Sequence, residues 1–130
     1  MLEIYDTAGQ DDYVALRNHY ISCGDGFLLV FSLASHQTFA SCANTYRTIC
    51  KAKETSVPIV VLVGNKKDLT KTKEVARNEI AEFCSTNKCV YLETSALTGD
   101  GVNDAFVTIS RLLHSKVPRK PRTTLRCTIL

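Results

Sequence analysis

The chain has 130 residues, about one domain's worth, and its 45% hydrophobic and 22% charged residues exclude disordered and fibrous classes. No apolar run approaches the roughly 18–20 residues that cross a bilayer; the longest are Phe27–Phe31 and Ile59–Val63. The net charge of +3 is unevenly divided: Lys116, Arg119, Lys120, Arg122 and Arg126 fall in the last fifteen residues with no acid among them, leaving 11 bases against 13 acids elsewhere. A basic tail on a mildly acidic body points to an anionic surface, either a membrane or a nucleic acid. The first residues carry no basic stretch followed by an apolar one, so no secretory signal is expected. The six cysteines (23, 42, 50, 84, 89 and 127) include no Cys-x-x-Cys pair and read as free thiols of a reducing compartment.

In chain order, Leu2–Asp6 alternates like a strand, and residues 11–20 could form a short helix. Gly26–Phe31 and Val57–Val63 are continuous apolar runs, as expected of strands buried on both faces, and Cys89–Glu93 is a shorter third. Between them, Phe39, Cys42, Ala43, Tyr46 and Ile49 share one face of a helix over 36–53. Ala76, Ile80, Phe83 and Cys84 mark a second helix over 73–86. Val102, Ala105, Phe106, Ile109, Leu112 and Leu113 mark a third over 101–115. This alternation predicts an α/β fold, a parallel sheet with helices on both faces. From Pro118 onward two prolines and no apolar periodicity predict a disordered tail, giving a domain over 1–115 and a polybasic tail over 116–130.

In such sheets ligands bind beyond the carboxyl ends of the strands, which selects Asp6–Gln10, Ser32–Ser35, Asn65–Asp68 and Thr94–Leu97. In Asp6-Thr7-Ala8-Gly9-Gln10 the carboxylate can hold magnesium, the glycine lets a backbone N–H approach a phosphate, and the glutamine can orient a water. In Asn65-Lys66-Lys67-Asp68 the carboxylate can accept both the ring N–H and the exocyclic amine of guanine, a fork that adenine does not offer. Lys66 supplies an aliphatic stem and a charge to lie against a base. Thr94-Ser95-Ala96 are small residues whose amides can reach a ligand. Each segment alone also reads as an ordinary capped or polar turn. Their order and their common place at strand ends carry the argument.

With DTAGQDDY, the GFLLVF strand, VGNKKDL and ETSA in register from Leu2 to about Leu113, the chain resembles a Ras-superfamily small GTPase of the Ras/Ral/Rap branch. The resemblance implies a P-loop NTPase-like fold, GTP and GDP binding with Mg2+, GTP hydrolysis, membrane-associated signal transduction, and exchange factors and GTPase-activating proteins as partners of a monomer. It makes Asp6 the contact to Mg2+ through water, Gly9 the amide that senses the γ-phosphate, and Gln10 the catalytic residue that positions water. It assigns Asn65 and Asp68 to guanine recognition, Lys66 to the base face, Ser95 to bracing Asp68, and Ala96 to the guanine carbonyl. Leu97 departs from the family, where Lys is common, and keeps only a backbone role.

The family opens with a strand, a Gly-x-x-x-x-Gly-Lys-[Ser/Thr] phosphate loop, a helix, an effector loop and a second strand, none of which this sequence contains. The expected fold is therefore N-terminally truncated, starting at Met1 as a genuine product or a gene-model fragment. Its central first strand, which the family places between those containing Leu2–Asp6 and Phe27–Phe31, is expected to be missing. That would leave two ladders of unpaired N–H and C=O groups, and nucleotide binding and hydrolysis would be impaired. The terminal Cys127-Thr128-Ile129-Leu130 matches a C-a-a-X box, with Leu favouring geranylgeranyl transfer to Cys127. With the basic residues it predicts the cytoplasmic face of a membrane, the plasma membrane first. The absence of interleaved aromatics argues against nucleic acid. The alternative is a non-enzymatic, membrane-anchored protein that sequesters exchange factors or prenyl chaperones.

Overall fold

The computed structural model describes residues 1–7, 14–116 and 124–130. Nine elements follow in order: β1 (Leu2–Asp6), α1 (Val14–Cys23), β2 (Gly26–Ser32), α2 (His36–Ala52), β3 (Val60–Asn65), α3 (Arg77–Asn87), β4 (Val90–Glu93), α4 (Val102–Lys116) and β5 (Leu125–Ile129). The strands form one sheet in the order β1-β5-β2-β3-β4, and every neighbouring pair is parallel. This is the α/β architecture expected from the alternation of apolar strands and amphipathic helices.

The continuous apolar runs are explained by burial on both faces. Phe27, Leu29 and Phe31 of β2 pack with Ile21 of α1, Phe39, Cys42, Tyr46 and Ile49 of α2, and Ile80 of α3. Leu28 faces the other way, into a cluster with Val61 and Val63 of β3 and Ala105, Ile109 and Leu113 of α4. Three helices thus cover one face, and α4 is the one helix packed in the second cluster.

The starts of β3 and α3 differ from the sequence expectation for identifiable physical reasons. β3 begins at Val60 because Pro58 has no N–H to give the ladder, although the Ile59 carbonyl still accepts from Phe27 N–H at 2.9 Å. Helix α3 begins at Arg77 because the segment before it is tied to the turn after β2 and Ala76 is extended, at φ −76° and ψ 145°. The amides of Glu74 and Val75 both donate to the Leu33 carbonyl, at 2.9 and 3.4 Å, and Val75 is buried. Glu79 then closes the start of the helix by accepting from Ala76 N–H at 3.0 Å.

The largest departure is at the carboxyl end. The disordered tail was expected over 116–130, and the central strand position was expected to be empty. Residues 125–129 instead form β5, which fills that position. It pairs with β1 from Leu2↔Leu125 to Asp6↔Ile129, and with β2 from Gly26↔Cys127 to Leu28↔Ile129. The physical reason is the period of two in Leu125-Arg126-Cys127-Thr128-Ile129. Leu125, Cys127 and Ile129 join the α4 cluster, while Thr128 is fully buried on the opposite side. The two ladders expected to be open are the ones that β5 pairs. Residues 117–123, which include Arg119, Lys120 and Arg122, lie outside the described residues.

Ile109 is fully buried in the α4 cluster, where it packs over Gly26 of β2. Ile109→Ala is expected to cost about 2–5 kcal/mol, read as a lower urea midpoint at unchanged slope.

Candidate guanine-nucleotide site

The carboxyl ends of β3 and β4 are adjacent, since Gly64 and Glu93 are register partners. The loops that leave them are tied together by hydrogen bonds. Thr94 N–H donates to the Gly64 carbonyl at 2.9 Å, and Lys67 N–H donates to the Thr94 carbonyl at 3.0 Å. Asn65 Oδ1 accepts from both Thr94 Oγ1 at 3.1 Å and Ala96 N–H at 3.0 Å. Two donors on one oxygen settle which way the amide is turned, and they leave the Asn65 NH2 available to an acceptor.

Asp68 is fixed from the second loop. Ser95 Oγ donates to Asp68 Oδ1 at 2.6 Å and accepts from Thr98 N–H at 3.2 Å. Ser95 is 2% exposed, so this hydroxyl is a buried strut under an exposed carboxylate. Among the described residues no partner of Asp68 Oδ2 is recorded. The turn between Asn65 and Asp68 requires Lys66 at φ +65°, with Leu69 N–H donating to the Lys66 carbonyl at 2.9 Å. Lys66 and Leu97 are exposed, Leu97 at 83%, and lie on the rim. Ala96 N–H is engaged with Asn65 in this arrangement.

Sequence reasoning missed three supports of this site. Thr94 holds Asn65 through its hydroxyl, Asp100 accepts from Lys67 Nζ at 2.8 Å, and the Asp100 carbonyl accepts from Ser95 N–H at 2.9 Å. The Asp100 carboxylate raises the pKa of the Lys67 ammonium above its ordinary value, by its hydrogen bond first and its charge second. Gly101 was the available signal. Its φ is +73°, and a Cβ there would sit 2.4 Å from the Glu93 carbonyl oxygen.

The phosphate side is more sparsely furnished. Asp6 is exposed at the end of β1. Three strand spacings separate β1 from β3, so Asp6 stands roughly 14 Å across the sheet edge from the base loops. Gly9 and Gln10 lie outside the described residues. Among the described residues no cluster of three or more His, Cys, Asp or Glu side chains could hold a metal ion.

A model of the Ras family matches residues 1–115. The chain belongs to the Ras family. Its relatives include rat Ras-related protein Ral-B, 39% identical over 117 residues, which are 88% of this chain and 56% of the relative. Xenopus laevis Ras-related protein ralB-B is also 39% identical, over the same shares. Circularly permutated Ras protein 1 of Dictyostelium discoideum is 36% identical over 111 residues, 85% of this chain and 13% of that protein. The chain thus spans about half the length of its Ral relatives. Small GTPases of this family use guanine nucleotide with Mg2+ generally, and the base loops described above lie within the matched region.

Gly101→Ala is expected to destabilise the domain by more than about 1 kcal/mol, since it meets both a positive φ and a backbone oxygen. Thermal unfolding should show a lower midpoint; an unchanged midpoint would mean the 93–101 turn relaxes freely.

Proposed function

We propose that this chain binds guanine nucleotides, GTP and GDP, through Asn65 and Asp68, with Ala96 holding Asn65 and Ser95 holding Asp68. The observation that carries the reading is the Ser95–Asp68 contact at 2.6 Å, which holds an exposed carboxylate in one orientation. A carboxylate so held accepts the two adjacent donors of guanine and has no match on adenine. The Asn65 NH2 supplies a donor for a ring acceptor, and the stem of Lys66 covers one face of the base. Lys67 serves the architecture through Asp100, and Leu97 contributes backbone only.

The nucleotide then runs along the carboxyl edge of the sheet from β3 toward β1. Asp6 would hold Mg2+ through water, and the metal would offset phosphate charge there. By family resemblance Gly9 and Gln10 serve the γ-phosphate and the hydrolytic water. No Gly-x-x-x-x-Gly-Lys-[Ser/Thr] loop occurs in the 130 residues. These residues therefore grip the base better than the phosphates, and GTP hydrolysis by them is slow.

The position of β5 supports a second feature of this reading, a rotated order of elements. The strand that the family places first in sequence and central in the sheet has its counterpart here after α4. The Dictyostelium relative is by name a circularly permutated Ras protein. Attachment to a cytoplasmic membrane face through Cys127 would require β5 to leave the sheet.

Calorimetric titration with GDP and with GMP, each with magnesium, tests the reading. Similar, weak affinities for both are expected, together with no binding of adenine nucleotides. Asp68→Ala removes two charge-assisted hydrogen bonds of about 1.5–3 kcal/mol each. It should lower GMP affinity at least about 100-fold. GDP binding several decades tighter than GMP would overturn the claim of a weak phosphate grip, and an inert Asp68→Ala would overturn the base pocket.

A further inference from the structure

The last residues of the chain match a lipid-acceptor box by sequence and form a sheet strand by structure. Cys127 lies mid-strand, opposite Ile4 of β1 and Gly26 of β2, and is fully buried with Leu28, Val61, Val63, Ile109 and Leu113 around it. The backbone is zipped on both sides. Leu125 N–H donates to the Met1 carbonyl at 3.0 Å and Thr7 N–H to the Ile129 carbonyl at 3.3 Å. On the other side Asp25 N–H donates to the Arg126 carbonyl at 2.8 Å, and Leu130 N–H to the Leu28 carbonyl at 2.8 Å. Val30 N–H in turn donates to the Leu130 carbonyl at 2.9 Å, so pairing extends through the final residue.

Residues of β1, of the segment just after it and of the turn before β2 are shaped to this strand. The Asp25 carboxylate accepts from Arg126 N–H at 3.1 Å, and Glu3 lies 3.4 Å from Arg126 Nε. Thr7 Oγ1 donates to the Ile129 carbonyl at 2.7 Å. Gly24 leaves room for the strand, since a Cβ there would come 2.7 Å from Thr128 Oγ1. A tail resting on the surface by accident would not find a glycine, a hydroxyl and two carboxylates matched to it.

We infer that residues 124–130 are the integral central strand of this domain, and that folding closes Cys127 to lipid transfer. Transfer would form a bond from Cys127 Sγ to the allylic carbon of a prenyl diphosphate as the carbon–oxygen bond to diphosphate breaks, the diphosphate leaving with the electron pair and the thiol proton going to solvent. That step needs an extended, accessible box, whereas here Thr128 is also fully buried and Leu130 is hydrogen-bonded. Burial pushes the Cys127 thiol up to about 11, which keeps it protonated. Arg126, counted with the basic tail by sequence, is spent on β1 and on the turn before β2. The inference stands apart from nucleotide binding and does not depend on it.

Thiol labelling of the native full chain with N-ethylmaleimide, mapped by mass spectrometry, tests it directly. Cys23, half-exposed at the end of α1, should react at once. Cys127 should react at least about 100-fold more slowly, through opening of the sheet, and at the rate of Cys23 in denaturing guanidinium. Native labelling of Cys127 within a few-fold of Cys23 overturns the inference. So does stoichiometric prenylation of the folded chain by a geranylgeranyltransferase supplied with its diphosphate donor. Two variants separate a core residue from a free tail. Cys127→Val should unfold near the wild-type urea midpoint and Cys127→Asp far below it or without a folded baseline; equal midpoints for the two would place Cys127 outside the core.

Discussion

A parallel sheet whose first crossover skips a strand cannot hold together until something occupies the gap. The connection from β1 through α1 to β2 leaves those strands two spacings apart, roughly 10 Å, each with an inward edge of unpaired N–H and C=O groups. Each such group left dry costs free energy comparable to a lost hydrogen bond. β5 meets both edges at once. It also supplies Leu125, Cys127 and Ile129 to the apolar cluster under α4, so the same five residues satisfy the ladders and fill the core. The guanine loops depend on this indirectly, because β3 and β4 are built outward from β2.

At the other end of the sheet the constraint is orientational. A carboxylate and an amide can recognise guanine only if neither is free to rotate. Both are held from the neighbouring loop, Asn65 by Thr94 and Ala96 and Asp68 by Ser95. The proposed recognition groups sit on the β3 loop and their supports on the β4 loop, so the geometry is only as firm as the register between the two strands. Gly101 lets the chain pass close under the Glu93 carbonyl, and Asp100 anchors Lys67 on the facing loop. The proposed site is a junction between loops, which is why residues so short in reach can define it.

Much of this was legible in the sequence because it is local. Apolar runs gave β2 and β3, helical stripes gave α2 and α4, and the motifs after β3 and β4 marked the two loops that the structure ties together. What escaped was non-local. The alternation in Leu125-Arg126-Cys127-Thr128-Ile129 is a strand signal, but five residues after two prolines carry little weight. The same letters also spell a lipid box. Only the vacancy between β1 and β2 distinguishes the two readings, and that vacancy is a property of the assembled sheet. The start of α3 escaped for the same reason, since the amides of Glu74 and Val75 are held by the Leu33 carbonyl, some forty positions upstream. Thr94 was within the selected loop, yet nothing in its type announces a bond to Asn65.

Sheet energetics depend on which groups are neighbours in space, and the connection that delivers a strand contributes only through its length and hand. A central strand can therefore arrive from either end of the chain, provided its apolar period matches the two clusters it must separate. β5 meets that condition with alternating apolar and polar residues, and its carboxyl end emerges at the same edge of the sheet as Asp6, Ser32 and Asn65. Direction matters more here than chain order. Run antiparallel, the same segment would break the uniform polarity of the sheet and bring its amino end to the ligand edge. Parallel insertion instead aligns all five carboxyl ends on one edge, where a nucleotide reaching from Asp68 toward Asp6 must cross the end of β5. The β5 strand is thus part of the floor of the proposed site as well as an interior strand of the sheet, and a lipid on Cys127 would be incompatible with both.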